Sequence, residues 1–193
     1  MREHGVESLT ILRDLRIQWA IGFALNTRAR AAYIDGDLGQ ACALIDESVA
    51  LFRDLKAYSS LAEVLITQGY IVQTQGDATT ASRTMAEALR LAWAVGPRPM
   101  VAAALEGLAS VQVAQGHAQL ATHLLAAATT LRVRMGTPVR PADQITVEQT
   151  LSAARSTLGD NAFAAVWSDA QALPLEQILS TIPGVAVSAA LGD

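Results

Sequence analysis

The stretch Gly76-Asp77-Ala78-Thr79-Thr80-Ala81 has one counterpart forty residues earlier and another forty residues later. Both place a glycine, a polar residue and an alanine at the same spacing, at Gly36-Asp37…Ala41 and at Gly116-His117…Ala121. Apolar and small positions keep this register in three further sets: Leu25, Leu65 and Leu105; Ala29, Gly69 and Ala109; Leu51, Leu91 and Leu131. A recurrence in this range is typical of stacked structural repeats, so we infer a repeat protein.

The composition favours helices as the repeating element. Apolar residues make up 51% of the chain and aromatic residues only 5%, and alanine, the best helix former, is abundant. The sequence has no alternating β-branched runs, which would indicate strands. The net charge of −4 argues against direct binding to nucleic acid, because such domains carry clustered basic faces.

We therefore predict an all-α fold, in which antiparallel helix hairpins stack into an α-α superhelix with a C-terminal helical cap. The repeats should span residues 1–136, with capping helices at 137–183 and a fraying tail at 184–193. Within the repeats we expect a half repeat followed by three hairpins, at about 1–15, 17–56, 58–95 and 99–135.

The turn residues indicate how each hairpin closes. Gly36 supplies the left-handed residue that often follows a helix, and Asp37 offers a carboxylate that can cap the next helix. Gly76 and Asp77 repeat this pair, whereas His117 takes the cap position in the third turn. The same turn chemistry should therefore operate three times.

Small residues at repeated positions predict close contacts between the two helices of a hairpin. Ala81 and Gly69 lie where such helices would cross, and an added methylene at a tight contact costs about 1–3 kcal/mol. We expect Ala81→Leu or Gly69→Leu to destabilise the fold far more than Thr79→Leu.

The forty-residue period stops after Gly136, and the remaining chain is predicted to form the cap. Thr137-Pro138-Val139-Arg140-Pro141 should be a rigid connector. Asp143 is predicted to be the N-cap of a helix over about 144–158, which Gly159 ends. The side chains expected to face inward from this helix are Ile145, Leu151, Ala154 and Leu158.

The first fifteen residues match the second helix of a repeat. Glu7-Ser8 corresponds to Glu47-Ser48, and Arg13-Asp14-Leu15 corresponds to Arg53-Asp54-Leu55. A hairpin without its first helix would leave an apolar face uncovered. We therefore expect the chain to be the C-terminal piece of a larger protein. The alternative is a short natural protein whose first helix forms its own cap.

The repeated positions resemble the tetratricopeptide pattern, Trp-x2-Leu-Gly-x2-Tyr followed by Ala-x3-Phe. Its small positions are matched here by Ala29, Gly69 and Ala109 and by Ala41, Ala81 and Ala121. Its aromatic positions are not matched, since the tryptophan position holds Leu25, Leu65 and Leu105. The period of forty residues exceeds the usual 34 of that family and implies longer helices.

This long-helix variety is similar to the tetratricopeptide-like arrays of large bacterial regulators, which include LuxR-type transcription factors and other multidomain signal-transduction ATPases. The residues after the repeats look like the usual ending of such proteins, in Arg134-Met135-Gly136-Thr137-Pro138, Ala154-Arg155, Leu158-Gly159 and Ala172-Leu173-Pro174-Leu175-Glu176. The resemblance covers nearly the whole chain. It implies that the ATPase, cyclase and DNA-binding parts lie outside this array, and the sequence carries none of their motifs.

In a tetratricopeptide stack the first helices line a concave groove, so the resemblance implies which side chains face it. The ten groove candidates are Phe23, Asn26, Arg30, Tyr33, Glu63, Ile66, Tyr70, Gln73, Glu106 and Ser110. Tyrosine and arginine are common anchors at protein interfaces. The alternatives for this face are a plain solvated surface and a surface for self-association.

The sequence predicts neither a catalytic nor a metal site. His117 and His123 are six residues apart, which does not place them on one helical face, and His4 is remote. Turn and cap chemistry explains the carboxylates of Asp35 and Asp37. We expect a protein that is not an enzyme and that needs no cofactor or metal.

The cysteine content, the apolar runs and the first residues of the sequence indicate the cellular location. Cys42 is the only cysteine, which excludes an internal disulfide and favours a small packed residue. The sequence has no uninterrupted run of about 18 apolar residues, so no membrane span is predicted. Met1-Arg2-Glu3-His4 is not followed by the apolar core of a secretory signal. We expect a cytoplasmic protein.

Two functions are compatible with these features. The first is a protein–protein interaction and sensor module that binds a protein, a peptide or a small effector in the groove and passes a change in curvature to upstream domains of the same polypeptide. The second is a structural element whose exposed repeat ends mediate homo-oligomerisation.

Overall fold

The computed structural model describes residues 9–182 and 185, and every regular element in these residues is an α-helix. Residues 9–14 are helical, and we call them α1. The helices that follow are α2 (Gln18–Ile34), α3 (Leu38–Asp54), α4 (Tyr58–Thr74), α5 (Ala78–Val95), α6 (Arg98–Ala114), α7 (Ala118–Met135), α8 (Pro141–Leu158), α9 (Asp160–Ala172) and α10 (Leu175–Ser180). The predicted all-α fold is confirmed. The predictions for residues 1–8, and for the tail at 184–193 apart from Val185, lie outside the described residues.

The helices pack in chain order as hairpins that stack on one another. The hairpins α2–α3, α4–α5 and α6–α7 each pack against the next. The first helices α2, α4 and α6 also contact one another in turn, and α8 contacts α6. Equivalent helices that touch lie on the inner side of a superhelix, so these helices form its concave face. The predicted superhelical array is confirmed, and we call the face formed by α2, α4 and α6 the groove.

The turns inside the hairpins share one backbone geometry. The N–H of Asp37 donates to the carbonyl of Ala32, five residues earlier, at 2.9 Å, which is the 6→1 bond of a Schellman motif. The residue before it is left-handed at each of these turns, with φ of 81°, 88° and 82° at Gly36, Gly76 and Gly116. The predicted role of these glycines is confirmed.

The turns between hairpins use the same geometry without glycine. Arg16 and Lys56 have φ of 55° and 52°, and the N–H of Ala57 donates to the carbonyl of Phe52 at 3.0 Å, as in the hairpin turns. Left-handed residues therefore recur at a spacing of 20 residues through much of the array, with an exception at Gly96, where φ is −90°. The predicted repeat boundaries fall at these turns, but their left-handed residues were not predicted, because arginine and lysine do not signal that conformation.

The predicted helix caps differ among the three hairpins. The carboxylates of Asp37 and Asp77 accept backbone N–H bonds of 3.0 and 2.9 Å in the first turns of α3 and α5, as predicted. His117 occupies the N-cap position of α7, but its side chain makes no capping bond. Its Nδ1 instead lies 2.9 Å from the side-chain oxygen of Gln112.

Small residues allow the close helix contacts that the sequence predicted. The three alanines that follow the hairpin turns are fully buried: Ala41, Ala81 and Ala121. A Cβ atom added at Gly22 would lie 2.5 Å from the ring of Phe52, and one added at Gly69 would lie 2.7 Å from the side chain of Met85. A larger residue at either crossing would therefore require the contacting side chain, Phe52 or Met85, to shift.

The C-terminal helices pack against the last hairpin, α8 on α6 and α7, and α9 and α10 on α7. Helix α8 begins at Pro141, and proline suits a first helical position. The prediction that Asp143 is the N-cap was therefore wrong, because Asp143 is the third residue of the helix. The prediction that Ile145 faces inward was also wrong, because this side chain is 67% exposed. It lies about 2.5 turns before the buried Ala154, and therefore on the opposite side of the helix.

Candidate functional site

The groove is crossed by the chain's own connector. Residues 137–140 have no regular structure between α7 and α8. Pro138 and Arg140 line a cavity of about 240 Å³ together with Glu63 and Ile66 of α4. The first turn of α8 then continues towards α2. We call residues 137–143 the crossing segment.

Asp143 is the residue through which the crossing segment reaches α2. Its Oδ1 accepts a hydrogen bond of 3.0 Å from Nη2 of Arg30, across 113 residues of sequence. Its Oδ2 accepts a bond of 2.6 Å from Nε of Arg140, whose Nη1 lies 3.9 Å from the carboxylate of Glu63 on α4. One carboxylate is thereby held between a cation of α2 and a cation of its own segment.

A second ion pair, between Arg132 and Glu106, contacts the backbone of the connector. Nη2 of Arg132 on α7 donates to Glu106 on α6 at 2.7 Å, and these side chains are only 9% and 4% exposed. The hydrogen bond with Glu106 raises the pKa of Arg132. Nη1 of the same guanidinium donates to the carbonyl of Pro138 at 3.1 Å. The buried pair therefore also holds the backbone of the crossing segment.

Tyr70 of α4 lies close to both ion pairs. Burial, with further contributions from the carboxylates of Asp143 and Glu106, raises the pKa of the Tyr70 hydroxyl far above its usual value. The hydroxyl is therefore protonated at neutral pH and can donate a hydrogen bond.

Uncharged hydrogen bonds link the first helices along the groove. The hydroxyls of Tyr33 on α2 and Thr74 on α4 are 3.2 Å apart. Nε2 of Gln73 on α4 donates to Oγ of Ser110 on α6 at 3.0 Å. These bonds join three successive repeats on the face where the sequence predicted recognition residues.

A small cavity of about 40 Å³ lies between α2, α4 and α8. It is large enough for a water molecule, and its lining includes Arg30, Tyr33, Thr67, Tyr70, Asp143 and Thr146. Thr67 is 3% exposed, and its hydroxyl has no hydrogen-bond partner among the described residues. An unpaired buried polar group is costly, so an acceptor that entered this cavity would be stabilised there.

The ten predicted groove residues fall into different surroundings. Asn26, Ile66 and Glu106 are 4%, 2% and 4% exposed, so their side chains lie beneath the groove surface. Phe23 packs edge-on against the ring of Phe52, with a centroid separation of 5.1 Å. The other six are half-buried: Arg30, Tyr33, Glu63, Tyr70, Gln73 and Ser110.

Sequence reasoning missed the residues that contact the groove from the C-terminal region, namely Arg132, Pro138, Arg140 and Asp143. It treated everything after Gly136 as a cap for the last repeat, and it assigned no role to Arg132 of α7. The available signal was the combination of two prolines and two opposite charges within residues 137–143, namely Pro138, Arg140, Pro141 and Asp143. That signal does not say which distant residues the segment meets.

A second surface of interest lies at the N-terminal end of the array. Ile11, Leu15, Ile17 and Trp19 are between 45% and 62% exposed. Behind them, Leu9, Ile21 and Leu25 form a small cluster separate from the main core. Grouped exposed apolar side chains are typical of interaction surfaces.

The remaining reactive residues have ordinary surroundings. Burial raises the pKa of the Cys42 thiol, with a contribution from Asp46, and Sγ accepts a bond of 3.1 Å from Gln75. Among residues 9–182 and 185, no three histidine, cysteine or acidic side chains are grouped closely enough to hold a metal ion. The same residues contain no helix that is long and apolar enough to span a bilayer.

Comparison with models of protein families, with curated proteins and with solved structures finds no match for this chain. The helical array is therefore established by the structure alone, and the tetratricopeptide and LuxR-type resemblance stays a prediction from the sequence.

Proposed function

We propose that this chain is a non-enzymatic, cytoplasmic protein-interaction module of tetratricopeptide-like repeats, belonging to a bacterial transcriptional or signalling regulator. Its groove binds a peptide, a partner protein or an effector. Binding there changes the curvature of the array, and the change passes to upstream domains of the same polypeptide.

The observation that supports this function is that the groove already accommodates a non-helical piece of polypeptide. The connector lines a cavity together with residues of α4 and α6, and Arg132 of the adjoining helix α7 donates a hydrogen bond to a main-chain carbonyl of that connector. Arg30 binds a carboxylate that arrives from a different part of the chain. Recognition of a main-chain carbonyl and of a charged side chain is what a peptide-binding groove needs.

The groove function is tested by selecting peptides from a random library of 12 residues on the wild-type chain and, in parallel, on Asp143→Asn, which frees Arg30. Selected peptides should bind Arg30→Gln at least tenfold more weakly. Arg28→Gln is the matched control, because Arg28 lies two residues earlier on α2 and points to another side of the helix.

Two outcomes would contradict the groove function. One is that neither form of the chain enriches any peptide. The other is that the enriched peptides bind Arg30→Gln as tightly as they bind the wild-type chain and Arg28→Gln.

A second candidate function is homo-oligomerisation through the N-terminal end, which the exposed side chains of Ile11, Leu15 and Trp19 favour. Light scattering across a range of concentrations tests it. A dimer or larger species that Leu15→Glu converts to monomer would support self-association. A wild-type chain that stays monomeric at high concentration would exclude it.

A further inference from the structure

We propose that the crossing segment is an internal ligand of the groove, and that an external partner displaces it by presenting a basic residue followed three positions later by an acidic residue. This inference rests on the proposed groove function and deepens it. The segment shows the pattern itself, in Arg140 and Asp143.

The contacts of the segment resemble those of a bound peptide. Three groups of the segment are recognised: the Pro138 carbonyl by Arg132 at 3.1 Å, the Asp143 carboxylate by Arg30 at 3.0 Å, and the Arg140 guanidinium by Glu63 at 3.9 Å. The three recognising side chains belong to α7, α2 and α4. Side chains of the repeats therefore contact one main-chain carbonyl, one carboxylate and one guanidinium of the segment.

The segment is attached through one buried carboxylate between two cations that water can reach. The side chains of Arg30 and Arg140 are 24% and 43% exposed and that of Asp143 is 10% exposed. Because a buried ion pair is costly to break without a replacement, the segment leaves when a partner supplies another carboxylate to Arg30. The pair that remains behind, Glu106 with Arg132, is buried within the repeats. Helix α8 keeps a separate attachment further along, through the buried residues Thr150 and Ala154.

The charges that the segment would leave behind define the partner. Arg30 would lose its carboxylate and Glu63 would lose its nearest cation. Near Arg30, Tyr70 and Thr67 line the same small cavity, and the Thr67 hydroxyl has no partner among the described residues. A guanidinium next to an unpaired hydroxyl fits an acidic side chain, and Glu63 fits a basic one nearby.

The experiment uses a fluorescein-labelled synthetic peptide with the sequence of residues 136–148, which contains the crossing segment. It is titrated into the full chain as wild type, as Asp143→Asn and as Asp160→Asn, with fluorescence polarisation as the readout. Asp160 is the matched control, because it lies in the first turn of α9, is 87% exposed and lies 3.8 Å from Arg155.

Asp143→Asn should bind the peptide about tenfold more tightly than the wild-type chain does, the equivalent of about 1.4 kcal/mol, whereas Asp160→Asn should match wild type. A peptide in which the residue corresponding to Asp143 is asparagine should bind Asp143→Asn about tenfold more weakly than the original peptide does. Hydrogen exchange of the amides in residues 137–146 should be faster in Asp143→Asn and unchanged in Asp160→Asn. Unchanged exchange in α4, α5 and α6 verifies that both variants fold.

Equal peptide affinity of wild type and Asp143→Asn, or equal exchange in this segment, overturns the internal ligand. The proposed groove function then survives if library peptides still depend on Arg30. If those peptides bind Arg30→Gln as tightly as they bind the wild-type chain, the groove function is contradicted as well.

Discussion

Arg132 donates two hydrogen bonds to Glu106 beneath the groove, from Nε at 2.5 Å and from Nη2 at 2.7 Å, and neither side chain is more than 9% exposed. Arg13 and Glu47 are just as close, at 2.6 Å, but their side chains are 54% and 50% exposed. The two pairs therefore have nearly the same separation and opposite access to water, which makes them a natural comparison.

Removing one charge from the buried pair should cost far more than removing one from the exposed pair. Glu106→Gln leaves the Arg132 guanidinium buried without a counter-charge, which typically costs about 3–5 kcal/mol. Glu47→Gln should change the free energy of unfolding by less than about 1 kcal/mol. Urea denaturation measures both variants, and equal losses would show that burial does not govern these pairs.

Two glycines in neighbouring helices should respond to alanine in opposite directions. At Gly22 the new Cβ would lie 2.5 Å from the fully buried ring of Phe52, so Gly22→Ala should destabilise the fold by about 1–3 kcal/mol. At Gly39 the nearest atom is 3.8 Å away, so Gly39→Ala should be neutral or stabilising by up to about 1 kcal/mol. Unfolding midpoints in urea test the pair, and a stabilising Gly22→Ala would contradict the packing at this crossing.

Glycine at the left-handed lysine should stabilise the protein. Lys56 has φ of 52° and is exposed, and a left-handed backbone costs a non-glycine residue about 1–2 kcal/mol. Lys56→Gly should therefore raise the free energy of unfolding by about 1 kcal/mol, after allowance for the greater freedom of glycine in the unfolded chain. The reciprocal change Gly76→Lys, at φ of 88°, should lower it. Thermal denaturation measures the melting temperatures of both variants. A shift of the two melting temperatures in the same direction would contradict the predicted cost of the left-handed lysine.

The aspartate cap of α5 should make stability depend on pH. The backbone hydrogen bond from Thr80 holds the pKa of Asp77 below its ordinary value of 3.8. Because the folded-state pKa is lowered, the ionised cap stabilises the fold above that ordinary value, and its contribution is lost as the pH falls through the lowered pKa.

The stability difference between wild type and Asp77→Ala should accordingly be constant near neutral pH and shrink in acid. Asp77→Asn is the control, since asparagine also caps helices but does not titrate. Urea denaturation between pH 2 and pH 7 would refute the prediction if the wild-type and alanine curves stayed parallel throughout.

Much of the fold could be predicted from the sequence because the signals are local. Gly36 and Gly76 set their own turns through a backbone conformation that other residues avoid, and Asp37 and Asp77 cap the helix that follows each turn. The breaks near Arg16 and Lys56 were predicted, but their left-handed conformation was not, because arginine and lysine give no local signal for it.

The groove was predictable only as a row of side chains on the first helices. The sequence by itself determined the helices, their hairpin turns and the small residues at their crossings, since each depends on neighbours within a few positions. Only the tertiary structure decided that Asp143 meets Arg30 and that a connector crosses the groove. Such contacts depend on the accumulated rotation of the stacked hairpins, and no local pattern encodes where a segment arrives after 113 residues.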